Sequence, residues 1–282
     1  MYNNLITKPI TNKNLKQSIS KKNVIKEVQE CYKNIAFSTF PYIKNLYSSK
    51  ESIKYTHSGN CIGLAMYIKQ NLKKKYNITS YLFPATVPSY IMKEGYLDIC
   101  HVALAIPIDY NNYFIIDPAF YFLEPIKLNL DTKRSTIVKS VQIEGFSEIE
   151  YIKSKIKKLN NKLVLNDYQT IPKNTFYCEC FYTNNHSDTW KYFLREITNP
   201  DKSISSFFIK IRNKPFFVST NIENSICVKE ISIRMIDDNI VDIKIKKQPI
   251  YNGSLSMIPA NSKDYLIDFL KKRNFDASIL FI

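Results

Sequence analysis

Residues 58–70, Ser-Gly-Asn-Cys-Ile-Gly-Leu-Ala-Met-Tyr-Ile-Lys-Gln, place a cysteine at the start of an amphipathic segment. Cys61, Leu64, Ala65, Ile68 and Leu72 recur at the spacing of one helix face, which predicts a helix with Cys61 in its first turn, facing inward. Ser58 or Asn60 is the expected cap, and Gly59 permits a sharp bend into the helix. Lys73-Lys74-Lys75-Tyr76-Asn77 predicts the exit, with lysines suited to the negative end of the helix and asparagine to a left-handed last residue. Free N–H groups and the positive end of the helix dipole favour a thiolate at such a start. A small buried residue is the plainer use of a cysteine there, so its meaning depends on what faces it.

Two segments downstream supply candidates. Residues 96–108 read as a strand containing His101, and residues 113–117 as a strand ending in Asp117. Asp109-Tyr110-Asn111-Asn112 between them is turn-rich, so the two strands form a hairpin. A turn near residues 109–111 pairs His101 with a residue between 117 and 121; in the registers nearer 117, Asp117 lies opposite His101 or one diagonal away, within side-chain reach on one face. A histidine oriented by an aspartate and facing a helix-start cysteine is the arrangement of a thiol triad, so Cys61, His101 and Asp117 are the candidate catalytic residues.

The 282 residues, 45% hydrophobic, suffice for one unit of two or three subdomains. The six cysteines are irregularly spaced with no Cys-x-x-Cys pair, the start of the chain lacks a signal-peptide apolar stretch, and no run of roughly 18 apolar residues exists to span a membrane. Free thiols in a reducing, cytoplasmic setting are the expectation. Cys100 and His101, as strand neighbours, point to opposite faces, which argues against a metal site with Cys61. The net charge of +15 suits an anionic partner, yet lysine-, asparagine- and isoleucine-rich composition accounts for it as simply. Without a dense basic run or an arginine-rich arm, nucleic acid is not the expected partner.

Along the chain, residues 1–20 read as a loose polar arm, 23–35 as an amphipathic helix and 78–87 as a strand. A strand is expected over 136–143. Ser147 and Glu150 form a capping box for a helix reaching Leu159, with Ile149, Ile152 and Ile156 inward. Strands then dominate: 175–182, 189–197, 204–211, 216–220, and 226–236 with 240–246 around an Asp237-Asp238-Asn239 turn. Residues 261–272 read as a helix capped by Asn261, and 277–282 as a last strand. Cys178 and Cys180 share a strand face as two packed thiols. The fold class is α+β: a helical subdomain over 1–76 bearing the nucleophile, a mostly antiparallel, barrel-like β region over 77–200 carrying His101 and Asp117, and a mixed α/β lid over 201–282.

Ser58-Gly59-Asn60-Cys61, His101-Val102-Ala103-Leu104-Ala105-Ile106 and Phe114-Ile115-Ile116-Asp117-Pro118-Ala119-Phe120 resemble the transglutaminase-like thiol enzymes, and among these most of all the arylamine N-acetyltransferases. The Cys-to-His and His-to-Asp separations, the total length and the order of helical bundle, β-barrel and α/β lid are similar to that family's. The family's Arg-Gly-Gly ahead of cysteine is His57-Ser58-Gly59 here. Gly63 stands where an acidic residue is common, and Pro118-Ala119-Phe120-Tyr121 stands where the family has Val-Gly-Phe-Gly. The resemblance implies an acyltransferase that carries an acyl group on Cys61, with acetyl-CoA as donor, a small-molecule amine as acceptor and Phe120 as a pocket residue. The same triad also serves transglutaminase-like or papain-like amide chemistry on proteins (crosslinking, deamidation, proteolysis), and a non-catalytic scaffold of the same fold is the third reading.

Overall fold

The computed structural model describes residues 7–10, 17–44, 46–92, 96–141, 149–165, 170–201, 214–223, 226–237, 239–246 and 248–278. Its α-helices, among those residues, are α1 (Lys21–Asn34), α2 (Phe40–Lys44), α3 (Ser49–Thr56), α4 (Cys61–Tyr76) and α5 (Ala260–Lys272). The caps of α4 are local chemistry. Asn60 accepts the Ile62 and Gly63 N–H groups on its side chain, and Asn77 leaves the helix at a left-handed φ of 53° with its own N–H bonded to Leu72 and Lys73 carbonyls.

Among the described residues, a nine-stranded antiparallel sheet forms the centre. Its strand order is Arg134–Ser135, Ile126–Asn129, Asn112–Ile116, His101–Pro107, Tyr81–Ala85, Asn185–Phe193, Phe176–Tyr182, Ile149–Lys158 and Val138–Val141. The sheet curls towards closure: Ser135 near one edge donates to the Ser154 carbonyl near the other at 3.0 Å, and Phe122 bridges Ser140. The inside of the curl is one core, containing Phe83, Ala103, Phe120, Phe122, Trp190 and Tyr192. The opposite face packs on α1 and α4 through Val102, Leu104, Ile106, Leu64, Ile68 and Leu72. Burying each such aliphatic side chain stabilises by roughly 1.5–3 kcal/mol. All seven residues of the His101–Pro107 strand are buried, because both of its faces are covered.

The second sheet, of six strands, carries the C-terminal hairpins. Gln248–Ser254, Ile240–Ile245, Ile226–Met235 and Phe216–Glu223 continue onto Ala36–Ser38 and Ser58–Gly59. α5 covers it through Leu266 and Leu270. The segment that leads into Cys61 is therefore the edge strand of a sheet built largely from the last third of the chain.

The structure departs from the sequence expectation in several places. Residues 149–158 form a strand, not a helix, paired on one side with Val138–Val141 and on the other with Phe176–Tyr182. Ile152, Ser154 and Ile156 fall on one strand face as readily as isoleucines spaced by four fall on a helix. Two-sided pairing decided the outcome, burying Ile152 and Ile156 and leaving Lys153, Lys155 and Lys157 outside. Thr7–Pro9, expected in a loose arm, pairs with Arg195–Ile197. The strand expected from 96 begins at His101, and the one expected from 78 at Tyr81, running through Pro84. α5 begins at Ala260, directly after Pro259, whose missing N–H and fixed φ suit a helix entry, so Asn261 lies in the first turn instead of capping it. The expected strand over 204–211, Ser147 of the expected capping box and residues 279–282 of the expected last strand lie outside the described residues.

Candidate active site

The hairpin register pairs Leu104 with Ile116, which sets Asp117 one diagonal from His101 on the inner face of the curl. His101 Nε2 lies 2.6 Å from Asp117 Oδ2, and both side chains are buried. Cys61 lies near enough to the same imidazole to raise its pKa by charge and hydrogen bonding, and with Nε2 turned to Asp117 the ring nitrogen that remains is Nδ1. Cys61 is 8% exposed, His101 4% and Asp117 0%. The structure thus brings together the three side chains that the sequence singled out, from a helix start, a strand start and a strand end.

Asp117 is held by more than the histidine. Tyr192 donates its hydroxyl to Oδ2 at 2.6 Å, and the Ala119 and Phe120 N–H groups donate to Oδ1, each at 3.1 Å. Four donors on one carboxylate fix its plane. Burial, followed by the Asp117 charge, pushes the Tyr192 phenol well above its ordinary range, so it remains a donor. Burial alone pulls the His101 imidazole down. The Asp117 and Cys61 charges and their hydrogen bonds outweigh that and push it up to about 10. At neutral pH the ring is therefore set up as an imidazolium between a carboxylate and a sulfur.

Phe120 is 2% exposed. Its ring meets the imidazole edge-on at 4.9 Å and stacks on Trp190 at 5.4 Å, so it backs the histidine from inside the curl. Tyr121 follows in a left-handed conformation, φ 51°, at the position where the family pattern carries its second glycine. Holding that conformation costs a bulky residue roughly 1–2 kcal/mol. Gly59 and Gly63 both serve close packing: a Cβ at either would lie 3.1–3.3 Å from Ile53 Cδ1 and Tyr42 Oη.

The first turn of α4 divides its donors. Asn60 takes the Ile62 and Gly63 N–H groups. The other thiols sit in the core. Burial pushes Cys31 and Cys180 well up and Cys227 up to about 12, and Cys178 lies 3.7 Å from Cys180 as a packed pair. Among the described residues, no group of three His, Cys, Asp or Glu side chains is placed to hold a metal ion, and no helix is long and apolar enough to cross a membrane. Tyr192 was not evident from the sequence. It is 75 residues from Asp117, in an ordinary alternating strand, and no local signal marks it.

Solved structures of arylamine N-acetyltransferases share this fold. Arylamine N-acetyltransferase C of Bacillus anthracis aligns with a TM-score of 0.55 at 13% identity, covering 92% of this chain and 93% of that one. The Mycobacterium smegmatis enzyme aligns with a TM-score of 0.53 at 8% identity, covering 95% and 90%. The Mycobacterium marinum enzyme, solved in complex with CoA, aligns with a TM-score of 0.51 at 11% identity, covering 93% and 91%. No protein-family model matches the sequence, and no curated protein matches it.

Proposed function

We propose that the chain is a thiol acyltransferase of the arylamine N-acetyltransferase type, with Cys61, His101 and Asp117 as its catalytic triad. The observation that carries this is the buried imidazole held between Cys61 and Asp117 on that fold. The Cys61 sulfur attacks the carbonyl of an acyl thioester, and the N–H of Cys61 faces the developing oxyanion. The thiol of CoA departs with the proton that the imidazolium carries. The acyl group then rests on sulfur. An amine attacks it, His101 takes the amine proton, and the acyl amide leaves as the sulfur is restored. Asp117 keeps the imidazole turned and stabilises its charged form. Phe120 walls the site behind the ring. The donor in this reading is acetyl-CoA, whose phosphates suit a chain of net charge +15, and the acceptor is a small-molecule amine.

The test is intact mass and peptide mapping after brief exposure to acetyl-CoA. An acetyl adduct on Cys61, discharged by an arylamine or hydrazine and absent in Cys61→Ala, is the expected result. No adduct with acetyl-, malonyl- or longer acyl-CoA, together with labelling of Cys61 by a glutamine-containing peptide, would replace this function with amide chemistry on proteins.

A further inference from the structure

The start of α4 is gripped by a side chain that the triad does not include. Tyr42, on α2, is 1% exposed. Its hydroxyl accepts the Asn60 backbone N–H at 3.1 Å and reaches back to Asn60 Oδ1 at 3.0 Å, closing a ring on the residue that precedes Cys61. It also lies 3.1 Å from Ser49 Oγ, and Ser49 in turn donates both its N–H, at 3.1 Å, and its hydroxyl to Asp201. Asn60 Oδ1 thus lies within hydrogen-bond distance of four donors: the Tyr42 and Ser49 hydroxyls, at 3.0 and 3.4 Å, and the Ile62 and Gly63 N–H groups.

The two glycines beside the cysteine complete the picture. A Cβ on Gly59 would stand 3.2 Å from Tyr42 Oη and one on Gly63 3.3 Å from it. The hydroxyl therefore fills a notch opened two residues before and two residues after Cys61. This gives Gly63 a reason specific to this chain, where an acidic residue is common in the family that the sequence resembles.

We propose that Tyr42 is a positioning residue for the Cys61 nucleophile, acting through the Asn60 cap; the inference rests on the reading of Cys61 as the reacting thiol. The cap residue sets both the direction of the first-turn N–H groups and the Cα–Cβ direction of Cys61, and Tyr42 holds it by backbone and side chain at once. Burial raises the phenol, while its hydrogen bonds to Ser49 and Asn60 oppose that, so the group stays neutral and can donate. Without the hydroxyl, the Asn60 N–H loses its bond to Tyr42 in a buried place and the cap is held less firmly.

The experiment measures iodoacetamide labelling of each cysteine by peptide mapping across pH, in the wild type, Tyr42→Phe, Gly63→Ala and the double variant. In the wild type Cys61 labels fastest. If it labels no faster than Cys178 and Cys227, the nucleophile reading fails, whatever Tyr42 does. With that established, Tyr42→Phe is expected to slow Cys61 by roughly ten- to a hundredfold, the scale that an ångström of misplacement costs. Its labelling profile should also move to higher pH while circular dichroism is unchanged. Gly63→Ala keeps the helix, alanine being the better helix former, yet its methyl presses on the hydroxyl and should also slow labelling. In the Tyr42→Phe background the same methyl loses its contact with the hydroxyl and meets only the flexible end of Ile53, so it should add less than it does alone. Wild-type rates and pH profile in both single variants, or fully additive effects in the double variant, would overturn the proposal. Should Tyr42→Phe not fold, the rate and profile of Gly63→Ala decide.

Discussion

Asp117→Asn probes the site at the point where its geometry is most constrained. The carboxylate accepts from His101 and Tyr192 on Oδ2 and from the Ala119 and Phe120 N–H groups on Oδ1. An asparagine has one oxygen. The two backbone donors cannot turn, so the amide oxygen must stay with them and the NH₂ must face Tyr192 and His101. Tyr192 can rotate its hydroxyl to accept. His101 can accept on Nε2 only if its proton moves to Nδ1, the nitrogen that faces Cys61, and a base in that tautomer cannot take a proton from that side. By analogy with the serine triad the loss reaches about 10⁴-fold, or about 5 kcal/mol at 1.36 kcal/mol per decade. The imidazole, no longer opposed by the Asp117 charge, should titrate well below the value of about 10 that it has in the native site. Single-turnover acylation of Cys61 followed by mass, beside NMR titration of His101, measures both effects. Acylation within about tenfold of wild type, with His101 titrating where it does in the native protein, would refute the tautomer reasoning.

Tyr192→Phe removes one charge-assisted donor from a fully buried carboxylate and should cost roughly 1.5–3 kcal/mol of stability, seen as an earlier denaturant midpoint; because three donors remain, turnover should fall far less than in Asp117→Asn. An unchanged midpoint would mean that the Tyr192 bond carries no net energy. The pH dependence follows from His101, whose folded value of about 10 lies above its ordinary 6.5. The native state therefore binds more protons than the unfolded chain between those values, so this contribution is fully present below about 6.5 and is lost as pH rises through about 10. Denaturant melts from pH 6 to 10 should show stability falling over that window, and Asp117→Asn should flatten the fall.

The sequence by itself determined what short-range physics controls. The period of Cys61, Leu64, Ile68 and Leu72, with Ser58 or Asn60 as cap and Asn77 at the exit, is enough to place α4 with Cys61 in its first turn, because capping and periodicity act within a few residues of the chain; the structure makes Asn60 the cap. The turn at Asp109–Asn112 likewise narrows the register to a few pairings that bring Asp117 near His101, because a short hairpin has few ways to close; the structure decides which. Tertiary structure decided the rest. Isoleucines at 152 and 156 satisfy both periods, and only the strands on either side of 149–158, which pair with its N–H and C=O groups, made that segment a strand. Tyr192 and Tyr42 look like any buried tyrosine in the sequence. Their hydroxyls gain meaning only when the curl of the sheet brings Tyr192 to a carboxylate 75 residues away, and when the packing of α2 brings Tyr42 to the Asn60 cap. A buried polar group must find its partner in space, and nothing in its local sequence encodes which distant group that will be.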